Sequence, residues 1–395
     1  MTTKPSQIAT SSLPYIQLIL LAISCALAVA NIYYNPSLLS IIGNHFHKSP
    51  KQAGQIATVT QLGYAIGLFL IVPLGDRMTP RRLLTILPLF NMVSLFGVAF
   101  SSHFSSLLIA SFAIGISSVS AQIIIPIVAA LIPAKQRGHA IGILLSGLSA
   151  GILLARTLSG LIAGFFGWQS IFFLAAFFAL IQIMITRRHI PESNPNATES
   201  YLQLFISLWQ LLKSEPKLQQ ACFSGFCFFG AFSALWETLS ELLSQSPYQL
   251  NVQTIGLFGL MGIGGFISSS YIGRALDKRD NQIILWAGAC VVLCAFLLIY
   301  EFSGDLWIIT AAILFLDIGN RAGLLANQHC IYQLSTQARN RRNTLFMVCY
   351  FLGGATGTAI ANKAIEGNHW EAMALTGIIF IIPVLLTNLR FMTRL

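Results

Sequence analysis

Gly147-Leu-Ser-Ala-Gly151-Ile-Leu-Leu-Ala-Arg156-Thr-Leu-Ser-Gly160-Leu-Ile-Ala-Gly164 reads as the middle of a membrane-crossing helix. Arg156 is its one charged residue, and the apolar run extends to about 138–164, enough to cross ~30 Å of hydrocarbon. Glycines at 147, 151, 160 and 164 leave small-xxx-small faces that let neighbouring helices approach closely. Arg156 places a permanent cation deep in that helix.

The rest of the chain repeats the pattern. Of 395 residues, 55% are hydrophobic and 9% charged, with a mean hydropathy of +0.73. A soluble domain carries roughly 25% charged residues to face water, so lipid is the expected solvent for most of this chain. The net charge of +10 would suggest nucleic acid or acidic partners in a soluble protein; in a membrane protein, where the charges sit matters more. The seven cysteines all fall in apolar stretches without a CxxC pair or a histidine cluster, so neither a disulfide framework nor a metal site is expected, and no cofactor is implied.

Apolar runs of ~20 residues predict twelve transmembrane helices near 13–34, 53–74, 82–100, 104–132, 138–164, 168–186, 218–243, 253–273, 281–300, 306–332, 343–363 and 371–391. The first is too long for a signal-peptide core and is read as a retained span. With the N-terminus inside, Lys and Arg at 4, 77, 81, 82, 135, 137, 187, 188, 213, 217, 274, 278, 279, 339, 341, 342, 390 and 394 fall on the cytoplasmic side. Only Lys48, Lys51 and Lys363 fall outside, and Arg156 and Arg321 lie within spans. This asymmetry predicts both termini in the cytoplasm. Trp168, Trp307 and Trp370 each open a helix at the outer side, as an interfacial aromatic belt would.

The longest polar interruption, 187–217, divides the spans into an N-terminal half, 1–186, and a C-terminal half, 218–395. Within it, Tyr201, Leu204, Phe205, Leu208, Leu211 and Leu212 recur at helical spacing, which predicts an amphipathic helix on the inner membrane surface. Four landmarks repeat at nearly one offset: Asp76 and Asp277, Arg137 and Arg341, Gly151 and Gly354, Trp168 and Trp370. The expected fold is an all-α membrane protein of two pseudo-symmetric six-helix halves.

These landmarks resemble the major facilitator superfamily, whose loop between the second and third helices reads G-x-x-x-D-R-x-G-R-[RK]. Here that loop is Val72-Pro-Leu-Gly75-Asp76-Arg77-Met78-Thr79-Pro80-Arg81-Arg82, and the second half repeats it as Gly273-Arg274-Ala275-Leu276-Asp277-Lys278-Arg279. The resemblance implies a conformational latch at Asp76, Arg77, Arg81, Arg82, Asp277 and Lys278. Independently, an aspartate in so tight a loop can accept hydrogen bonds from an open helix N-terminus, and arginines can meet helix C-termini or lipid phosphates. The 147–164 segment is similar to the glycine-rich motif of proton-driven drug and sugar exporters, with Ala155-Arg156 in place of the usual Gly-Pro. Ser111 stands where such exporters often carry an arginine, four residues before Gly115.

Charges within spans cost ~2.5–3.5 kcal/mol each on insertion scales and face a cavity or a partner. Arg156, Glu237, Asp317 and Arg321 are such residues. Asp317 and Arg321 lie one turn apart and are expected to pair, either as a structural bridge or on a pathway-lining face with Gln328. Glu237, beside Trp236, and Asp317 are the candidate proton carriers. Asn31 and Tyr34 near the outer mouth, with Gln61 and Gln122 within spans, complete the expected substrate and proton pathway. No HExxH, no GxSxG on a span and no nucleotide-binding loop is present, which argues against an enzyme or an ATP-driven pump. The leading expectation is a secondary transporter of a small solute in a bacterial inner membrane, monomeric and proton-coupled. Export is preferred by resemblance, uptake symport is the alternative, and an integral-membrane enzyme or a non-transporting membrane protein is the other class.

Overall fold

The computed structural model describes residues 14–192, 201–276, 278–334, 338–365 and 370–392, without the side chains of 76, 134, 135, 202 and 388–392. In chain order the α-helices are α1 (Tyr15–Ala30), α2 (Leu39–His45), α3 (Pro50–Ala53), α4 (Gln55–Leu70), α5 (Pro80–Ala99), α6 (Phe104–Ser117), α7 (Ser120–Leu131), α8 (Ala134–Phe166) and α9 (Gln169–His189). They continue as α10 (Tyr201–Ser214), α11 (Pro216–Trp236), α12 (Leu239–Ser244), α13 (Val252–Leu257), α14 (Ile263–Leu276), α15 (Asn281–Phe302), α16 (Leu306–Leu334), α17 (Arg339–Ala364) and α18 (Trp370–Met392). Among the described residues eleven helical stretches are long and apolar enough to cross a membrane, and Tyr15–Ala30 is a shorter apolar helix.

Start and stop signals are local. Pro80 and Pro216 occupy the first turns of α5 and α11, where a missing N–H costs nothing. Asn251 caps α13 through the Thr254 amide. Gly167, at φ +85°, ends the 33-residue α8 in a conformation that glycine adopts without a Cβ penalty.

Five expected spans are interrupted; the second gives way after Leu70 to a 3-10 stretch, Val72–Asp76. The first stops at Ala30 and passes through a 3-10 turn, Asn35–Ser37, into α2, because Pro36 cannot continue the helical ladder. The fourth breaks at Ser118–Val119, where the Asn91 amide donates to Ser117 Oγ (2.8 Å) and Ser118 Oγ (3.0 Å). The seventh breaks at Glu237–Thr238, and the Thr238 hydroxyl donates back to Ala234 O at 2.7 Å. The eighth tightens to a 3-10 stretch, Phe258–Gly262. Of the expected aromatic belt, Trp307 is exposed; Trp168 and Trp370 are instead buried, Trp168 against His45, Phe46 and Phe172, Trp370 against Tyr248.

Helix α1 packs on α7, α8 and α9, α4 on α6, and α5 on α6 and α9; farther along, α11 packs on α16, α17 and α18, α15 on α16 and α18, and α14 on α16. These two sets meet along α4 with α17 and α8 with α13. The glycines of α8 set both contacts. A Cβ on Gly147 or Gly151 would stand 2.3–2.4 Å from the α1 carbonyl oxygens of Ala22 or Ala26. One on Gly160 would stand 2.7 Å from Gly256 Cα, and one on Gly164 about 2.1 Å from the Gln253 side chain. The amphipathic helix forms as α10, burying Leu204 and Leu208. It leans on the end of α4 through Phe205 and Phe69 and a Tyr201 hydroxyl bond to Leu70 O. Ser207 meets Arg341 of α17 at 3.0 Å.

Gly160→Ala should therefore lower the thermal unfolding temperature, since overpacking costs ~1–3 kcal/mol. Gly138→Ala, with nothing within 4 Å of its Cβ, should leave it unchanged or raise it through helix propensity. Equal stabilities by a fluorescence-detected melt would contradict the close α8–α13 crossing.

Candidate functional site

Arg156 projects from α8 into the middle of the bundle, 3% exposed. Its guanidinium carbon lies 3.8 Å from the centroid of Trp236, with Tyr33 at 5.2 Å and Phe232 at 5.5 Å. Aromatic faces attract a desolvated cation by ~2 kcal/mol but do not satisfy its N–H groups, and Nε and Nη2 have no hydrogen-bond partner among the described residues. Among the described residues no carboxylate pairs with Arg156 within 4.0 Å.

Asp317 and Arg321 of α16 line the same cavity, of about 100 Å³, with Tyr33, Tyr64, Gln122, Asn320 and Tyr350. The expected one-turn ion pair between Asp317 and Arg321 is not formed among the described residues. Asp317 faces the cavity, with Arg156 and Arg321 as electrostatic neighbours and Trp236 as its hydrogen-bonding neighbour, and its Oδ2 makes no hydrogen bond within 3.5 Å among the described residues. Asn320 and the Tyr350 hydroxyl bond each other at 3.2 Å.

Glu237 sits where α11 ends, 3% exposed. Its Oε1 accepts from Gln61 Nε2 at 2.9 Å and its Oε2 is unpartnered. Around this bond lies a polar seam between the two sets of helices. Ser40 Oγ and Ser240 Oγ are 3.1 Å apart, the Ser240 hydroxyl also reaches Ser37 O at 3.3 Å, and the Ser37 hydroxyl donates to Arg156 O at 3.0 Å. Asn35 Nδ2 donates to Thr60 Oγ1 at 3.2 Å. The seam joins the ends where the chain passes between α1 and α4 and between α11 and α13.

The structure thus brings Arg156, Trp236, Glu237, Asp317 and Arg321 together, with Gln61 beside Glu237 and Gln122 on the cavity wall. It does not bring Asn31, Tyr34 or Gln328 there. The Asn31 amide turns back to Leu27 O (3.2 Å) and Ala28 O (3.4 Å), closing the end of its own helix. Tyr34 is buried, and it is the preceding ring, Tyr33, that faces Arg156. Gln328 meets Asn343 Oδ1 at 3.4 Å, farther along α16. Sequence reasoning missed Tyr33, Tyr64, Phe232, Asn320 and Tyr350. Asn320, one turn beyond Asp317, was the available signal.

Of the expected latch, Arg81 donates through Nε to Ile190 O at 3.0 Å and pairs with Glu192 at 2.6 Å. Arg77, Arg82 and Lys278 are exposed. Asp277 and the Asp76 side chain lie outside the described residues. A larger cavity of about 410 Å³, with Lys217, Arg279 and His329 on its wall, opens near the start of α11 and the end of α16.

Residues 19–358 match the family model of the Major Facilitator Superfamily. The uncharacterized transporter YgaY of Escherichia coli O157:H7 is 33% identical over 375 residues, covering 95% of this chain and 94% of that protein. A Helicobacter pylori (strain P12) protein named for sugar efflux is 24% identical over 345 residues, covering 86% of each. Among solved structures, a POT family transporter with a thioalcohol-conjugated peptide superposes with a TM-score of 0.77 at 13% identity, over 96% of each chain. An inward-facing, occupied bacterial homologue of the human lysosomal transporter Spinster gives 0.72 at 15% identity, over 96% and 97%. This chain belongs to the Major Facilitator Superfamily: it is a multi-pass membrane transporter, not an enzyme.

The serine seam is directly testable. In a cysteine-free background, Ser40→Cys with Ser240→Cys should cross-link under mild oxidation and arrest solute movement, with recovery on reduction. A pair that stays reduced, read by peptide mass spectrometry, would contradict this contact.

Proposed function

We propose that the chain is a secondary active transporter that exports a small organic solute in exchange for protons by alternating access. The observation carrying this reading is the pair of unneutralised groups, Arg156 and Asp317, on a cavity lined from both α1–α8 and α11–α17. Desolvated charges without partners are costly, and inside a membrane they mark a pathway. Twelve spans form two halves, 1–186 and 218–395, joined by the 187–217 linker, and Tyr15–Ala30 with its buried continuation is the twelfth crossing. Ser40 facing Ser240, 200 positions apart, matches the offset of the other repeated landmarks and supports that symmetry.

In this reading the halves rock about the α4–α17 and α8–α13 contacts. The serine seam closes the outer side, and the Asp76–Arg82 and Asp277–Lys278 loops latch the inner side in the opposite state. Glu237 and Asp317 are the proton carriers, and Asn31, Tyr34 and Gln328 flank the pathway without lining it in this state. The arginine-rich end, with both termini, faces the cytoplasm of a bacterial inner membrane, and the monomer is the working unit. The sugar-efflux name of the Helicobacter relative supports the outward direction.

In inside-out vesicles with an acid interior, solute uptake driven by the pH gradient should fall at least tenfold in Asp317→Asn and in Glu237→Gln. Unchanged flux in both would remove the proton-coupling assignment. Alkaline phosphatase fused after Gly167 should be active and after Pro133 inactive; the reverse would invert the orientation.

A further inference from the structure

We infer that the solute is a small zwitterion, carrying a carboxylate and an ammonium on an apolar body, as an α-amino acid does. This rests on the proposed transport reading and specifies its cargo. The two unpartnered donors of Arg156, Nε and Nη2, share one edge of the guanidinium plane. That edge is the fork that holds a carboxylate through two parallel hydrogen bonds. Across the cavity, Asp317 Oδ2 is an unpartnered acceptor. Arg156 and Asp317 are more than 4.0 Å apart, so a solute head carrying a carboxylate and an ammonium on one carbon can bridge them and satisfy both.

Size and surface agree. At about 100 Å³ the cavity well exceeds the ~10–15 Å³ that a single water needs, which suits a compact solute. Beside the polar Gln122, Ser149 and Asn320, the wall carries Val29, Ile152, Leu153, Phe232 and Phe266, an apolar stretch suited to a short hydrocarbon side chain. A lipophilic cation would meet two guanidiniums, Arg156 and Arg321, before one carboxylate, Asp317.

The charged and titratable groups facing the cavity or adjoining it are Arg156 on α8, Glu237 at the end of α11, Asp317 and Arg321 on α16, and the phenols of Tyr33, Tyr64 and Tyr350. A proton arriving at Asp317 removes the anionic partner of the ammonium. Proton and solute therefore compete, and the solute leaves whole as the proton binds. This competition is the electrostatic condition for exchange rather than cotransport.

The test is counterflow into proteoliposomes of the intact protein, using labelled L-alanine, L-valine and L-leucine, glucose and tetraphenylphosphonium. At least one amino acid should exchange. For leucine, 3-methylbutylamine and 4-methylpentanoate, which each lack one charged group, should compete at least tenfold more weakly; these controls need no variant. Arg156→Lys, which keeps the charge but loses the fork, and Asp317→Asn should each reduce amino-acid exchange at least tenfold while melting as folded protein. Exchange of glucose or tetraphenylphosphonium without any amino acid overturns the zwitterion inference and leaves transport standing. No exchange of any probe counts against both. Equal competition by leucine and its amine or acid also overturns the inference.

Discussion

A guanidinium held in the middle of a membrane bundle with no ion-pair partner among the described residues is the constraint around which this molecule is arranged. Arg156 is compensated by ring faces, chiefly Trp236, and by the field of carboxylates that stop short of contact. Placing it there requires α8 to approach helices on both sides of it. Gly147 and Gly151 bring α8 onto α1, and Gly160 and Gly164 bring it onto α13. The backbone takes part too, since the Arg156 carbonyl accepts the Ser37 hydroxyl. One helix thus connects the first set of helices, the second set and the cavity.

The breaks in the helices serve the same centre. Where α11 stops at Trp236, Glu237 and Thr238 turn the chain so that Ser240 can reach Ser40 and Ser37. The 31–38 turn delivers Tyr33 to the guanidinium and Asn35 to Thr60. Glycines 256, 259 and 262 let the second set come against α8 with almost no side chain between. Hydroxyl bonds and glycine contacts join the two sets here, beside the buried Leu38, Leu39, Ile42, Leu239, Leu242 and Leu243.

Much of this was legible in the sequence. Helix class, most boundaries, the amphipathic α10 and the buried charges follow from apolar run length and from the rarity of charge in lipid. Individual partners were harder to read. Asp317 and Arg321 share a helix face at one-turn spacing, yet a third charge from another helix draws on Asp317, which no local spacing reveals. Tyr33 and Tyr34 are adjacent and chemically alike. Only the turn imposed before Pro36 selects which ring meets Arg156. Trp168 and Trp370 looked interfacial because they open helices, but His45 and Phe46 pack on Trp168 and Tyr248 packs on Trp370. Aromatic residues in apolar stretches read as lipid-facing or core, so Phe232 and Tyr350 carried no distinguishing mark.

The central claim is that one cavity is reached from either side of the membrane in turn. Ser149 lines that cavity, so Ser149→Cys in a cysteine-free protein is the reporter, labelled by a membrane-impermeant thiol reagent from each face. Labelling should proceed from both faces in the freely moving protein. When Ser40→Cys and Ser240→Cys are disulfide-linked before the reagent is added, labelling should persist from the arginine-rich face alone. Labelling from both faces in the cross-linked protein, or from neither face in the mobile one, would contradict alternating access through this site.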